Sequence, residues 1–157
     1  MSMSNPHPTL EWLHVCDYAF RDEQGKLCMI GLFDSMQSAQ LPGRLPVFSV
    51  AIGLTDGQGD YEVGLNIVSP SGKVVRLKLP PVRLQSKLAK VRAVVRLAGL
   101  PFEEFGRFTF RLEIEGQPQE SPVHVLEHVQ TQGNAGGGRS GAAPVPGFPP
   151  PPDFQGN

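Results

Sequence analysis

Apolar and polar residues alternate with a period of two along much of this chain. In 47–54, VFSVAIGL, Phe48, Val50, Ile52 and Leu54 share one face, and Ser49, Ala51 and Gly53 the other. In 61–68, YEVGLNIV, Tyr61, Val63, Leu65 and Ile67 alternate with Glu62, Gly64 and Asn66. In 108–115, FTFRLEIE, Phe108, Phe110, Leu112 and Ile114 alternate with Thr109, Arg111, Glu113 and Glu115. Successive side chains of a strand point to opposite faces, so these segments predict strands with one buried face. The turn-rich stretches DEQGK (22–26), TDGQGD (55–60), SPSGK (69–73) and EGQP (115–118) separate them.

Residues 12–20 and 27–35 are apolar on both faces and read as central strands. Further strands are expected near 74–80 and 123–129. Segment 82–98 is ambiguous, because Leu84, Leu88, Val91, Val95 and Ala98 also fit a helical stripe capped by Gly99. The β-branched cluster Val91, Val94 and Val95 favours a strand over 89–98. Val91, Ala93, Val95 and Leu97 would then face in, and Lys90, Arg92 and Arg96 out. Short strands at this turn spacing predict an all-β fold. The expected architecture is an antiparallel β-sandwich, immunoglobulin-like or jelly-roll-like, of about 7–8 strands. If DEQGK closes a hairpin, Cys16 faces Leu32 and Cys28 faces Phe20. The two sulfurs then stand too far apart for a disulfide.

The segments CDYAFRDEQGKLCMIGLFDSM (16–36), LPVFSVAIGLT (45–55) and GLPFEEFGRFTFRLEIEGQ (99–117) resemble a family of small bacterial proteins, a functionally uncharacterised domain. The resemblance spans roughly residues 10–130. It implies a small β-sandwich and offers no catalytic residues.

Composition divides the chain. Residues 133–157 hold 7 Gly and 6 Pro in 25 positions. Such a segment buries too little apolar surface to offset its ordering entropy, so a disordered tail is expected. The first eight residues are expected to be flexible, which leaves 9–132 as the β-sandwich domain. No run of 18 apolar residues predicts a membrane span. The N-terminal stretch shows no basic segment followed by an apolar one, and the two cysteines fit a reducing compartment, so a cytoplasmic location is expected.

Reactive side chains form no recognisable constellation. His14 and Cys16, at i and i+2 on one strand, could offer two zinc ligands, but no Cys-x-x-Cys pair accompanies them. His124 and His128 on one strand would be about 13 Å apart, too far to share an ion. No Gly-x-Ser-x-Gly, P-loop or dinucleotide fingerprint is present. The loop with Asp56 and Asp60 lacks the ligand spacing of a calcium site. No cofactor is therefore expected. A small hydrolase would have to gather His14, Cys16, Asp17 and Asp34 in one cleft.

Charge says more. The formal net charge is −1, yet residues 73–102 carry eight basic side chains and no acidic one. On strands, Arg76 and Lys78 share one outer face, as do Lys90, Arg92 and Arg96. These five are the candidate partner-binding residues, with an acidic protein or surface as the expected partner. The same charges also discourage edge-to-edge aggregation, and Glu113 and Glu115 could neutralise part of them. Aromatic residues do not interleave with them, which argues against nucleic acid. The tail contains FPPPPDF (148–154), which resembles the Phe-Pro-Pro-Pro-Pro ligand of the EVH1 domain class. Phe148, Pro149 and Pro152 are the candidate docking residues there. The resulting expectation is a non-enzymatic interaction module with a protein partner, and self-association through sheet edges. A small hydrolase or a structural assembly protein is the alternative.

Overall fold

The computed structural model describes residues 6–132, and everything described is strand, turn or loop. The strands are β1 (Thr9–Arg21), β2 (Leu27–Leu32), β3 (Ser35–Ser38), β4 (Gly43–Arg44), β5 (Val47–Thr55), β6 (Gly59–Tyr61) and β7 (Val63–Val68). They continue as β8 (Val74–Lys78), β9 (Val82–Leu84), β10 (Val91–Ala98), β11 (Pro101–Phe102), β12 (Gly106–Ile114), β13 (Gln117–Pro118) and β14 (His124–Gln130). One sheet has the order β10-β5-β1-β2. The other runs β3-β14-β12-β7-β8, with β13 added to β12. Two short pairs, β11–β4 and β6–β9, complete the described pairing. All pairs are antiparallel except β14–β3.

The sandwich follows from the alternation. Phe48, Val50, Ile52 and Leu54 of β5 pack against Val63, Leu65 and Ile67 of β7 and Phe108, Phe110, Leu112 and Ile114 of β12. Phe48 and Phe110 meet edge to face across the two sheets, with ring centroids 6.1 Å apart. The expected strand over 89–98 is present as β10 from Val91 to Ala98, and Val91, Ala93, Val95 and Leu97 pack on the core from its inner side. The apolar core outcompetes the helical stripe, because only the strand puts all four on one buried face.

Several expectations change. Residues 27–35 are not one central strand. Phe33 turns inward against Phe48, which breaks the segment in two. β2 ends the first sheet and β3 joins the edge of the second, so the chain changes sheets at this point. The break at Glu62 likewise separates β6 from β7. Such splits, and short bridges such as β4, β11 and β13, raise the strand number above the expected 7–8. Within the N-terminal stretch expected to be flexible, the Tyr61 hydroxyl donates to the Pro6 carbonyl at 2.8 Å. The tail 133–157, with Phe148, Pro149 and Pro152, lies outside the described residues. No helix among the described residues is long and apolar enough to cross a membrane.

The β1–β2 hairpin has the register its turn dictates, with Cys16 opposite Leu32 and Cys28 opposite Phe20. Asp22 closes the turn, its Oδ1 accepting from the Gln24 and Lys26 amides at 2.9 and 2.8 Å. Both thiols are free. The hairpin is bent. Met29 pairs with Ala19, which in a straight strand would stand about 23 Å from Trp12. Yet Met29 and Leu27 line one cleft with Trp12 and His14. The distal half therefore doubles back over the outer face of its own sheet, and the Arg21 guanidinium reaches the Arg92 carbonyl on β10. Gly31 sits at the bend with φ +70, and a Cβ there would lie 2.3 Å from Asp17 Oδ2.

Candidate functional site

The candidate basic residues ride on two strands that each end a sheet, β8 and β10. Both strands border the same open side of the sandwich. A cavity of about 390 Å³ there is lined by Val63 and Leu79 from the β7–β8 side and by Val91, Ala93 and Val95 of β10. A second, of about 250 Å³, lies between Val75 of β8 and Leu100, just past β10, and is floored by Ile67, Phe102 and Phe108. The five residues therefore do not form one sheet face. Arg76 and Lys78 belong to one sheet, and Arg92 and Arg96 to the other, with Lys90 just ahead of β10. The sequence pattern gave each pair its face but not the sheet on which that face lies.

Their electrostatic surroundings differ. Lys78 Nζ lies 4.0 Å from Glu62 Oε1. Lys90 Nζ lies 2.9 Å from Glu11 Oε1. Glu113 and Glu115 do not neutralise the band as expected. Glu113 Oε2 accepts from the Asn66 amide at 3.0 Å, and Glu115 Oε1 from the Glu62 backbone at 2.6 Å. Arg76, Arg92 and Arg96 have no carboxylate partner among the described residues. Arg96 instead sets its guanidinium carbon 5.4 Å from the Tyr18 ring centroid, a cation–π contact. Between β10 and β1, the outer side chains of β5 are only Ser49, Ala51 and Gly53. Trp12 lies over Gly53, where a Cβ would meet its ring at 2.5 Å.

The four side chains a hydrolase would need are dispersed. His14 stacks on Trp12 with centroids 5.5 Å apart. Asp17 is exposed at the hairpin bend, and Asp34 lines a different cleft, beside Ser35 and Glu127. Cys16 is fully buried and its thiol contacts the Tyr18 carbonyl. Burial, with the neighbouring Asp17 charge, pushes that thiol above its ordinary pKa, so it is held protonated and a poor nucleophile.

One polar cluster escaped the sequence reading. His128 is buried, with Nδ1 2.6 Å from the Glu104 carbonyl and Nε2 2.9 Å from Ser38 Oγ. A carbonyl only accepts, so Nδ1 donates to it, and Nε2 shares a hydrogen bond with the Ser38 hydroxyl. A serine, a histidine and an orienting acceptor in line match the parts of a nucleophile–base pair. Here the ring is enclosed by Phe102, Phe105 and Phe108, and Gly43 presses on the Ser38–His128 contact so closely that a Cβ would lie 2.4 Å from Oγ. No substrate can reach it. The cluster ties β3, β14 and the loop before β12 together. The sequence signal was the inward parity of His128 with Leu126, but Ser38 stands 90 positions away. Among the described residues, no three metal-ligating side chains come together.

These features define an all-β sandwich with reactive groups enclosed or dispersed and basic charge along two sheet edges. The chain belongs to the Family of unknown function (DUF6941), whose model matches residues 11–125. No curated protein matches it.

Proposed function

We propose that the domain is a non-enzymatic interaction module, which binds an acidic protein partner along the open side of the sandwich bordered by β8 and β10. The observation that carries this reading is the placement of Arg76, Arg92 and Arg96. None of the three has a carboxylate partner among the described residues; Arg92 lines the apolar-floored cleft beside Val91, Ala93 and Val95, Arg96 lies over the Tyr18 ring, and Arg76 lies on the outer side of β8 beside Asn66 and Lys78. At Arg92 an unpaired guanidinium stands beside an apolar hollow and supplies both halves of a recognition surface, charge that steers and orients and desolvated area that holds, while Arg76 and Arg96 extend the field along the two edge strands. Lys78 and Lys90 support the local field but are occupied by Glu62 and Glu11. The free thiols of Cys16 and Cys28 accord with a reducing, cytoplasmic setting.

The test is affinity capture with the wild-type chain and with Arg76→Glu, Arg92→Glu and Arg96→Glu combined. All three residues are at the surface, so the variant folds. Acidic proteins captured by the wild type should be released as salt rises and should be missing from the variant. Capture of the same proteins by the reversed variant sinks the proposal.

A further inference from the structure

β8 differs on its two sides. On the outer side Arg76 and Lys78 line a depression with Asn66 and Glu113. On the inner side Val75 and Leu77 stand opposite Ile67 and Leu65 of β7, which belong to the core. Val75 nonetheless remains 38% exposed, because this side is hollow at both ends. The cavity of about 390 Å³ adjoins Leu79 and Val63, and that of about 250 Å³ adjoins Val75 and Ile67. Four residues of strand separate the two on β7 and on the β8 side alike, so they stand about 13 Å apart.

The backbone along this edge is uncommitted as well. The Ser69 amide donates to the Lys73 carbonyl at 2.8 Å, and the Leu79 amide to the Val63 carbonyl at 3.0 Å. Hydrogen-bonded pairs alternate with non-bonded ones in an antiparallel ladder. Val75 and Leu77 therefore bond to β7, and the N–H and C=O groups of Val74, Arg76 and Lys78 point away from it. Among the described residues β8 pairs only with β7. The β10 edge is less free, since the Arg21 guanidinium reaches the Arg92 carbonyl.

We infer that β8 accepts an added strand from the partner, an extended segment in which apolar and acidic side chains alternate. The inference rests on the acidic-partner reading and gives it a binding mode. A segment lying along the β8 edge reaches both sides of the strand, because its own alternate side chains point to opposite faces. Its backbone takes up the free amides and carbonyls of Val74, Arg76 and Lys78. Its inward side chains are apolar and enter the two hollows from positions four residues apart. Its outward side chains are acidic and lie beside Arg76 and Lys78, a cross-strand pairing of opposite charges. Main-chain bonds give such a complex its affinity, and the hollows give it specificity. Arg76 has no carboxylate partner among the described residues, and Lys78 is loosely held, 4.0 Å from Glu62. Glu103 and Glu104, at the smaller hollow, are met by Lys73 and Ser71. The two cations also exclude a second copy as occupant, because two β8 strands side by side would bring like charges together.

The test is the binding of two labelled peptides of one composition to the full chain, read by fluorescence anisotropy. In Glu-Leu-Glu-Val-Glu-Leu-Glu the apolar and acidic residues alternate; in Glu-Glu-Glu-Glu-Leu-Val-Leu they stand in blocks. The alternating peptide should bind about tenfold tighter or more, since only it sets both leucines over the hollows while its carboxylates meet the cations. On binding, the amides of Val74, Arg76 and Lys78 should gain protection from hydrogen exchange. Val74→Pro should abolish the preference with an unchanged circular dichroism spectrum, because it deletes an outward amide and leaves the β7 ladder and every charge in place. Equal affinities, a preference that survives Val74→Pro, or binding without the new protection overturns strand addition. So does binding of neither peptide. The acidic-partner reading fails separately, by capture that persists after reversal of Arg76, Arg92 and Arg96.

Discussion

Gly31→Ala tests the bend on which the hairpin's position depends. Two separate costs meet at this residue. Its φ of +70 lies in the left-handed region, where an L side chain costs about 1–2 kcal/mol. The new methyl would also lie 2.3 Å from Asp17 Oδ2, 2.9 Å from its Cγ and 3.1 Å from its Cβ. Asp17 is exposed and can rotate its carboxylate aside, so this second cost is about 1 kcal/mol, that of an off-rotamer side chain. The sum is about 2–3 kcal/mol. At roughly 4 °C per kcal/mol for a domain of this size, the melting temperature should fall by about 10 °C. Gly25, at the tip of the same hairpin, separates the two terms. It has φ +78 and nothing within 4 Å of a Cβ, so Gly25→Ala should show the backbone cost alone, about 1–2 kcal/mol. Asp17→Ala should remove most of the steric part and leave Gly31→Ala near the Gly25→Ala value. The assay is urea unfolding of the four single and double variants. The reasoning is refuted if Gly31→Ala costs no more than Gly25→Ala, or if Asp17→Ala recovers nothing.

His128→Leu should destabilise the domain by about 2–4 kcal/mol in the same assay, because it removes two hydrogen bonds and strands the Glu104 carbonyl among phenyl rings. A loss below about 0.5 kcal/mol would show that the cluster does not tie the strands. Burial lowers the pKa of His124, with a smaller contribution from the His14 charge; the Phe33 carbonyl and the Asp34 charge oppose it. The native state thus favours the neutral ring, so this contribution to stability is present above the ordinary value of 6.5 and is lost as pH falls through and below it. His124→Gln should flatten the decline in melting temperature between neutral and mildly acidic pH. A thiol reagent should modify Cys28 in the native protein and reach Cys16 only on unfolding, with Cys16 protected further by its raised pKa. Equal rates would overturn that placement.

The strands were legible where the period-two rule had a single solution. In β5, β7 and β12 one face is apolar and the other is not, and the core closes on the apolar faces. The register of the first hairpin was legible too, because the Asp22 turn fixes which residues oppose. The place of β2 in the sheet was not. A strand apolar on both faces is consistent with a central position, but also with a strand whose second apolar face is exposed, and hydrophobicity alone does not separate them. What decides is Gly31 and Phe33. One bends the hairpin back and the other turns the chain into the core, and both depend on φ values and tertiary contacts that alternation does not encode.

The basic band shows the same limit from the side of charge. Eight basic residues in thirty positions looked like one surface because they are contiguous in sequence. In the fold, contiguity is broken by the crossing from β8 to β10, which carries the second cluster to the other sheet, so that Arg92 lines the open-side cleft while Arg76 and Lys78 line a separate depression on the outer side of β8. Acidic residues from elsewhere then select among them. Glu11 and Glu62 lie against two lysines, whereas Arg76 and Arg92 have no carboxylate partner among the described residues and Arg96 is met by an aromatic ring. Arginine can pair bidentately and stack, and its charge persists at any pH the domain survives. The three unpaired arginines are thus the selective part of the surface, and the lysines its background field. A lysine at each of the three positions would preserve the net charge that the sequence displays while removing the geometry that the fold adds.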